Sequence, residues 1–322
     1  MLIRQDGPAV MVWAPAKLNL FLKILGQRPD GYHEVVTLIV AVDRYDTLTL
    51  TPHDAGELTL DGRWATAYAR GAGGEGSLGF DALPPVEQNL VYKALRLLQT
   101  RSGCERGAHV DLVKRIPPAS GLGGGSSDAA AALMAGNVAW RLGYSREELM
   151  QLATELGSDV PFFLHQWRGE GATLAVCRGR GERVEPARAP AGLHFVVVRP
   201  SEGLSTIEVY RRYKVSQANA HSRIDNSTSG ANVEELLTAL AAGQLRAAAA
   251  NFVNDLQPPA SEISPTISVL SREFAKLQPI VHQMSGSGSA YFGWFRHEAQ
   301  ARRAAGQLGH RGYPHVWHVQ TI

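Results

Sequence analysis

Two cysteines among 322 residues leave this chain almost nothing from which to build a disulfide framework or a thiolate metal site. Cys104 and Cys177 lie far apart without a pairing pattern or metal-ligand spacing, and read as packing residues of a protein kept in a reducing compartment. Long apolar runs are also missing. No window approaches the ~20 residues of a membrane-spanning helix, so no membrane association is expected. The opening stretch MLIRQDGPAVMVWAPAKLNLFLKI lacks a basic segment followed by an apolar one; this argues against a secretory signal and makes the cytoplasm the expected location. An excess of one charge sign is missing as well. Lys and Arg total 32 against 30 Asp and Glu, a formal net charge of +2, and the basic residues are scattered. No basic stripe points to nucleic acid, whereas acidic small molecules remain open as partners. A monomer or weak homodimer is expected.

What the chain does have is enough apolar residue, 44%, to fill ordinary cores, and a length that suggests about two domains. WAPAKLNLFLKIL alternates around a β-rich core, and VVTLIVAVDRYDTLTLTP reads as two strands with a turn from Asp43 to Asp46. RGAGGEGSLGFDALPP reads as a glycine-rich surface loop. VEQNLVYKALRLLQTRSG has helical spacing and a C-cap at Ser102-Gly103. The strand AHVDLVKRI then leads through Pro117-Pro118 to GLGGGSSDAAAAL. SREELMQLATELG is a helix with Ser145 as N-cap and Glu148 at the capping-box position, and Pro161 is expected to hold Val160 out of helix. Past Gly169 come short strands such as LHFVVVRP, helices at NVEELLTALAAGQLRAAAANFVN and SPTISVLSREFAKL, the turn and strand HQMSGSGSAYFGWF, the helix HEAQARRAAGQLG and the strand HVWHVQTI. The expected organisation is α+β, with domains over 1–168 and 169–322. The polar stretch 215–232 takes no role.

GLGGGSSDAAAAL raises the question of function, because it concentrates backbone freedom where a helix begins. Glycines close a tight turn and Ser or Asp caps the first N–H groups, which is one complete explanation. The other is chemical: a flexible loop over a helix N-terminus makes a cradle for phosphate. The stretch is neither a Walker A sequence nor a dinucleotide fingerprint. A carboxylate in the first turn repels a triphosphate, so Asp128 is expected to point away and cap while Ser126 and Ser127 face the ligand.

Two further stretches bear on the choice: APAKLNLFLKILGQRPDGYHEV places Lys17 in a strand poor in charge, and MSGSGSAYFG offers a second loop rich in backbone N–H groups. In that order, Lys17, the 121–127 loop and the 285–289 loop resemble the three signature motifs of the GHMP kinase family, named for galactokinase, homoserine kinase, mevalonate kinase and phosphomevalonate kinase. The resemblance covers nearly the whole chain. It implies a two-domain fold, with an N-terminal ribosomal-protein-S5-domain-2-like nucleotide domain, a C-terminal ferredoxin-like α/β sandwich and an active site in the cleft between them. It further implies an ATP-dependent small-molecule kinase using Mg²⁺. Gly31-Tyr32-His33, together with GSDVPFFL, resembles the branch that acts on a cytidine diphosphate-linked methylerythritol, phosphorylating its 2-hydroxyl in non-mevalonate isoprenoid precursor synthesis.

On that resemblance, the phosphates of ATP would lie on Pro118, Ala119, Ser120, Gly121, Leu122, Gly123, Gly124, Gly125, Ser126 and Ser127, with Ser127 facing the metal. Asn89 would lie near the adenine and Lys114 would reach a phosphate. Asp159 is the family's base, and Lys17 would pair with it and stabilise developing charge. Taken alone, Asp159 reads as a turn or cap residue and Lys17 as a surface lysine. Asn19, two residues on along the strand and so on the same face as Lys17, is placed to bond the substrate. Tyr32 would stack on the pyrimidine and His33 would read its polar edge; Tyr210 is the candidate for the opposite wall, or else a core residue. Ser285, Gly286, Ser287 and Gly288 would close over phosphates, although a plain strand-entry turn explains them in isolation. The rivals are a kinase of another small alcohol, which would have no use for Tyr32 and His33 as a clamp, and a non-catalytic binder, which would need neither Lys17 nor Asp159.

Overall fold

Alternating apolar and β-branched residues build most of the first fifty positions into one antiparallel run: β1 (Leu2–Asp6), β2 (Ala9–Gln27) and β3 (His33–His53). The computed structural model describes residues 1–65, 83–165, 174–187, 192–220 and 232–322; most of the glycine-rich stretch 71–85 and of the polar stretch 215–232 lies outside them. β4 (Leu58–Trp64), β5 (Gly107–Lys114), β6 (Leu174–Gly179) and β7 (Arg183–Ala187) extend the sheet. β5 pairs with the second half of β3 and β6 with its first half. Strands past the expected boundary at 168/169, β6 and β7 among them, therefore hydrogen-bond in the first sheet.

The turn expected at Asp43–Asp46 is not a turn. β3 runs straight through it, and the pairing slips instead, from Pro15 opposite Tyr45 to Ala16 opposite Val42. A bulge of this kind absorbs extra residues without reversing the chain. It also changes which face is buried where. Before it, the even-numbered Val12, Ala14, Leu48 and Leu50 pack in the helix-covered core; beyond it, the even-numbered Leu18, Leu20, Val40 and Val42 pack in a second core shared with the other sheet. The odd-numbered Lys17 and Asn19 are thereby turned toward the helices.

Those helices are α1 (Leu90–Ser102), α2 (Gly124–Ala139), α3 (Arg146–Leu156) and α4 (Val160–His165). Gly103 ends α1 in the left-handed conformation, and Ser145 and Glu148 form both bonds of the capping box on α3. α2 is buried along almost its whole length, and its alanines and glycines let α1, α4 and the sheet all approach it. Val160, expected to be extended before Pro161, instead opens α4: a proline in a first helical turn gives up no needed N–H.

The second sheet takes β8 (His194–Val198), β10 (Val281–Met284), β11 (Tyr291–Phe295) and β12 (Val316–Gln320) in the antiparallel order β10-β11-β8-β12. Between β8 and β10 run α5 (Thr206–Ala220), α6 (Val233–Ala241), α7 (Leu245–Ala250), the short β9 (Val253–Asn254) on β2, α8 (Gln257–Ile263) and α9 (Pro265–Ala275). α10 (Glu298–His310) precedes β12. Read as strand, helices, hairpin, helix and strand, this is the expected ferredoxin-like arrangement, with α9 and α10 packed on the sheet.

Candidate active site

A cleft of about 770 Å³ opens where α2 begins. Three stretches singled out in the sequence meet there. The Lys17 N–H donates to the Leu122 carbonyl (3.0 Å), docking the glycine loop on β2. The Ser285 hydroxyl accepts the Asn19 N–H (3.2 Å) and donates to the Gly121 carbonyl (3.1 Å). Glycine is required at two of these positions. Gly121 has φ +75°, and a Cβ there would stand 2.0 Å from the Ser285 carbonyl oxygen; Gly123 has φ +73°, with Lys17 Cγ and Phe163 Cζ 2.9 and 3.0 Å from the same point.

Lys17 is buried, its ammonium donating to Asn19 Oδ1 and lying 3.4 Å from Asp159 Oδ2. Asn19 Nδ2 donates to the Thr37 hydroxyl (2.8 Å), which donates to the Phe21 carbonyl (2.6 Å). This chain fixes the amide with its oxygen toward the ammonium. Asn19, expected to meet the substrate, thus has its oxygen and one amide proton occupied by protein. Thr37 was not anticipated; its signal is a polar residue inside the apolar run of β3. The Asp159 side chain remains 33% exposed in the cleft at the foot of α4, where an incoming group can reach it.

The other lysine of the cleft, Lys114, is enclosed. Its ammonium donates to Asp46 and Asp128, all three side chains being buried. Asp46 also accepts the backbone N–H groups of Arg115 and Ile116, so one carboxylate ends β5 and holds the lysine. Burial works to lower the Lys114 pKa, and the two carboxylates outweigh it and raise it. Burial pushes Asp128 up to about 7, with Lys114 opposing and Asp46 adding to the rise.

Asp128 therefore does not cap α2; Gly123 holds the cap position with no side-chain bond, because the lysine captures the carboxylate. Ser126 lines the cleft. Ser127 does not: one position on round the helix, its hydroxyl is fully buried and has no partner among the described residues. Pro118, Ala119, Ser120, Gly124 and Gly125 are on the wall, while the Leu122 side chain is in the second core. Asn89 lines the cleft and caps α1, accepting the Val91 N–H at 2.9 Å.

At the far end, the turn between β2 and β3 presents Tyr32. Asp30 accepts the Tyr32 N–H (3.1 Å) and is held by Arg28 (3.1 Å), leaving the tyrosine 53% exposed. Its ring carries the Arg180 guanidinium at 4.9 Å, a partner not anticipated from sequence. His33 stacks on Tyr210, centroids 4.9 Å apart at 30°. Burial lowers the His33 pKa and the charge of Lys214 adds to this; both favour the neutral imidazole, which has one donor and one acceptor nitrogen. Gly286, Ser287 and Gly288 line the cleft, and the Ser287 and Thr206 hydroxyls are bonded at 2.8 Å, joining the second glycine loop to α5. Ser285 lies behind the wall as the tie described above.

Residues 89–166 match the family described as GHMP kinases N terminal domain, and residues 233–315 match GHMP kinases C terminal. A 4-diphosphocytidyl-2-C-methyl-D-erythritol kinase of Pelotomaculum thermopropionicum is 38% identical over 91% of each chain, and one of Bacillus pumilus is 34% identical over 96% of each. Among solved structures, a 4-(cytidine 5'-diphospho)-2C-methyl-D-erythritol kinase superposes with a TM-score of 0.73 at 33% identity, covering 97% of this chain and 99% of the other. A homoserine kinase of Cytophaga hutchinsonii, at TM-score 0.70 and 18% identity over 100% and 97% of the two chains, shares the fold. Among the described residues no helix is long and apolar enough to cross a membrane. The chain is an ATP-dependent small-molecule kinase and belongs to the GHMP kinases, within them to the 4-diphosphocytidyl-2-C-methyl-D-erythritol kinase family.

Proposed function

We propose that this kinase transfers the γ-phosphoryl group of ATP to the 2-hydroxyl of 4-diphosphocytidyl-2-C-methyl-D-erythritol. The observation that carries the reading is the Lys17–Asp159 pair at 3.4 Å, set between a glycine-lined helix start and an aromatic end. Asp159 accepts the hydroxyl proton as the oxygen attacks the γ-phosphorus; the bond from that phosphorus to the β,γ-bridging oxygen breaks and ADP leaves. Lys17, aimed by Asn19 and Thr37, stabilises charge on the transferring group and the attacking oxygen. The 121–126 backbone and the start of α2 hold the nucleotide phosphates. Magnesium fits oxygen donors here: Ser126 on the wall and Asp128, whose Oδ1 has no partner among the described residues, would hold it, whereas the inward Ser127 would not. When bound, it would neutralise phosphate charge. Tyr32 offers the pyrimidine a flat face, and neutral His33 matches the donor and acceptor on its edge. A panel of 4-diphosphocytidyl-2-C-methyl-D-erythritol, mevalonate, homoserine and galactose with ATP tests the reading. The cytidine compound should give the highest kcat/KM, and faster turnover of mevalonate would refute it.

A further inference from the structure

Resting on that cytidine-linked acceptor, we propose that Arg180 is the residue that takes the acceptor's diphosphate, leaving the Tyr32 ring to the base. Three observations carry this. The first is charge. The lysines and arginines lining the described cleft are Lys17, Lys114 and Arg180. Lys17 is held by Asp159, and Lys114 by Asp46 and Asp128. Arg180 makes no ion pair within 4 Å among the described residues; the nearby Asp30 is bound by Arg28.

The second is position. Its guanidinium lies 4.9 Å from the Tyr32 centroid, and the next residue, Gly181, backs onto the catalytic carboxylate, with its Cβ position 3.8 Å from Asp159 Oδ1. Arg180 therefore spans the interval between the base end and the phosphoryl-transfer end. In a molecule whose base and reacting hydroxyl are joined through a diphosphate, that interval holds the diphosphate. The third is chemistry. A guanidinium is less strongly hydrated than an ammonium, rests readily on an aromatic face, and presents a planar fork that matches phosphate oxygens. Exchanging the ring for two phosphates strengthens its partner and uncovers the face on which a pyrimidine stacks.

Calorimetric titration of the full chain tests this, with the nucleotide site saturated by a non-hydrolysable ATP analogue and cytidine or cytidine 5'-diphosphate as probe. Arg180→Gln should weaken cytidine 5'-diphosphate roughly tenfold to a hundredfold, the range for losing charge-assisted hydrogen bonds, while cytidine stays within about threefold. Arg180→Lys should recover part of the loss, because it keeps the charge without the fork. Equal losses for the two probes would make Arg180 part of the stacking wall and overturn the proposal; so would a diphosphate affinity within about threefold of wild type. Wild-type protein that binds neither probe would overturn the acceptor reading itself, which is a different failure.

Discussion

Lys17 and Lys114 line the same cleft under opposite conditions, and the contrast separates the group proposed for chemistry from one enclosed by its partners. Lys17 faces one carboxylate that is a third exposed, and its other partner is a neutral amide. An acceptor that comes in from the cleft can meet Asp159 on its exposed side with Lys17 beside it. Lys114 sits between two carboxyl groups with almost no exposure, and its charge is already met before any phosphate arrives. It was expected to reach a phosphate; its surroundings make it first a fastener that joins β3, β5 and the start of α2 beneath the glycine loop.

The sharpest way to break the contrast is at Asp159. Asp159→Asn should lower kcat by roughly 10² to 10⁴, the usual range for a general base, with the unfolding midpoint nearly unchanged. Turnover above about a third of wild type would leave Asp159 only a positioning role. Lys114→Met should act the other way round. It strands two buried carboxylates, and losing one side of a buried ion pair costs about 3–5 kcal/mol, read as a lower midpoint in urea. A loss under about 1 kcal/mol would mean that the triad contributes little to holding the fold.

The smallest effect is one of pH. Asp128 is raised from 3.8 to about 7, so between those values the folded protein keeps a proton that the unfolded chain has released. Stability contributed by this group therefore falls as pH rises from about 4 to about 7 and levels off above. Asp128→Asn should flatten that part of the stability profile, measured by denaturation across the range with magnesium chelated. An unaltered slope would show that the carboxyl does not titrate there.

How much of this was legible in the sequence depended on range. Capping Ser145 with Glu148, the glycine end of α1 and the shared face of Lys17 and Asn19 are set by spacings of two to four residues, and short spacings fix geometry. Lys114 with Asp46, Asn19 with Thr37 and Tyr32 with Arg180 join residues whose contact exists only after strands have paired. No local pattern announces them. Asp43–Asp46 looked like a turn because turn residues and bulge residues share the same chemistry, and only the partner strand distinguishes them. Pro161 misled for a similar reason: it disfavours helix at the residue before it, unless that residue is where the helix starts.

The slipped pairing near Pro15 has a consequence for how such a chain tolerates change over generations. Upstream of the slip one set of positions supplies the oily interior; downstream the same set supplies a different interior, and the set in between carries Lys17 and Asn19. A single codon gained or lost between Val12 and Lys17 would send the lysine into an apolar layer and a leucine into the cleft, destroying packing and reactivity together. Length variation among descendants should therefore collect in the loops. Within β2 it should occur only with a compensating change across the ladder in β3.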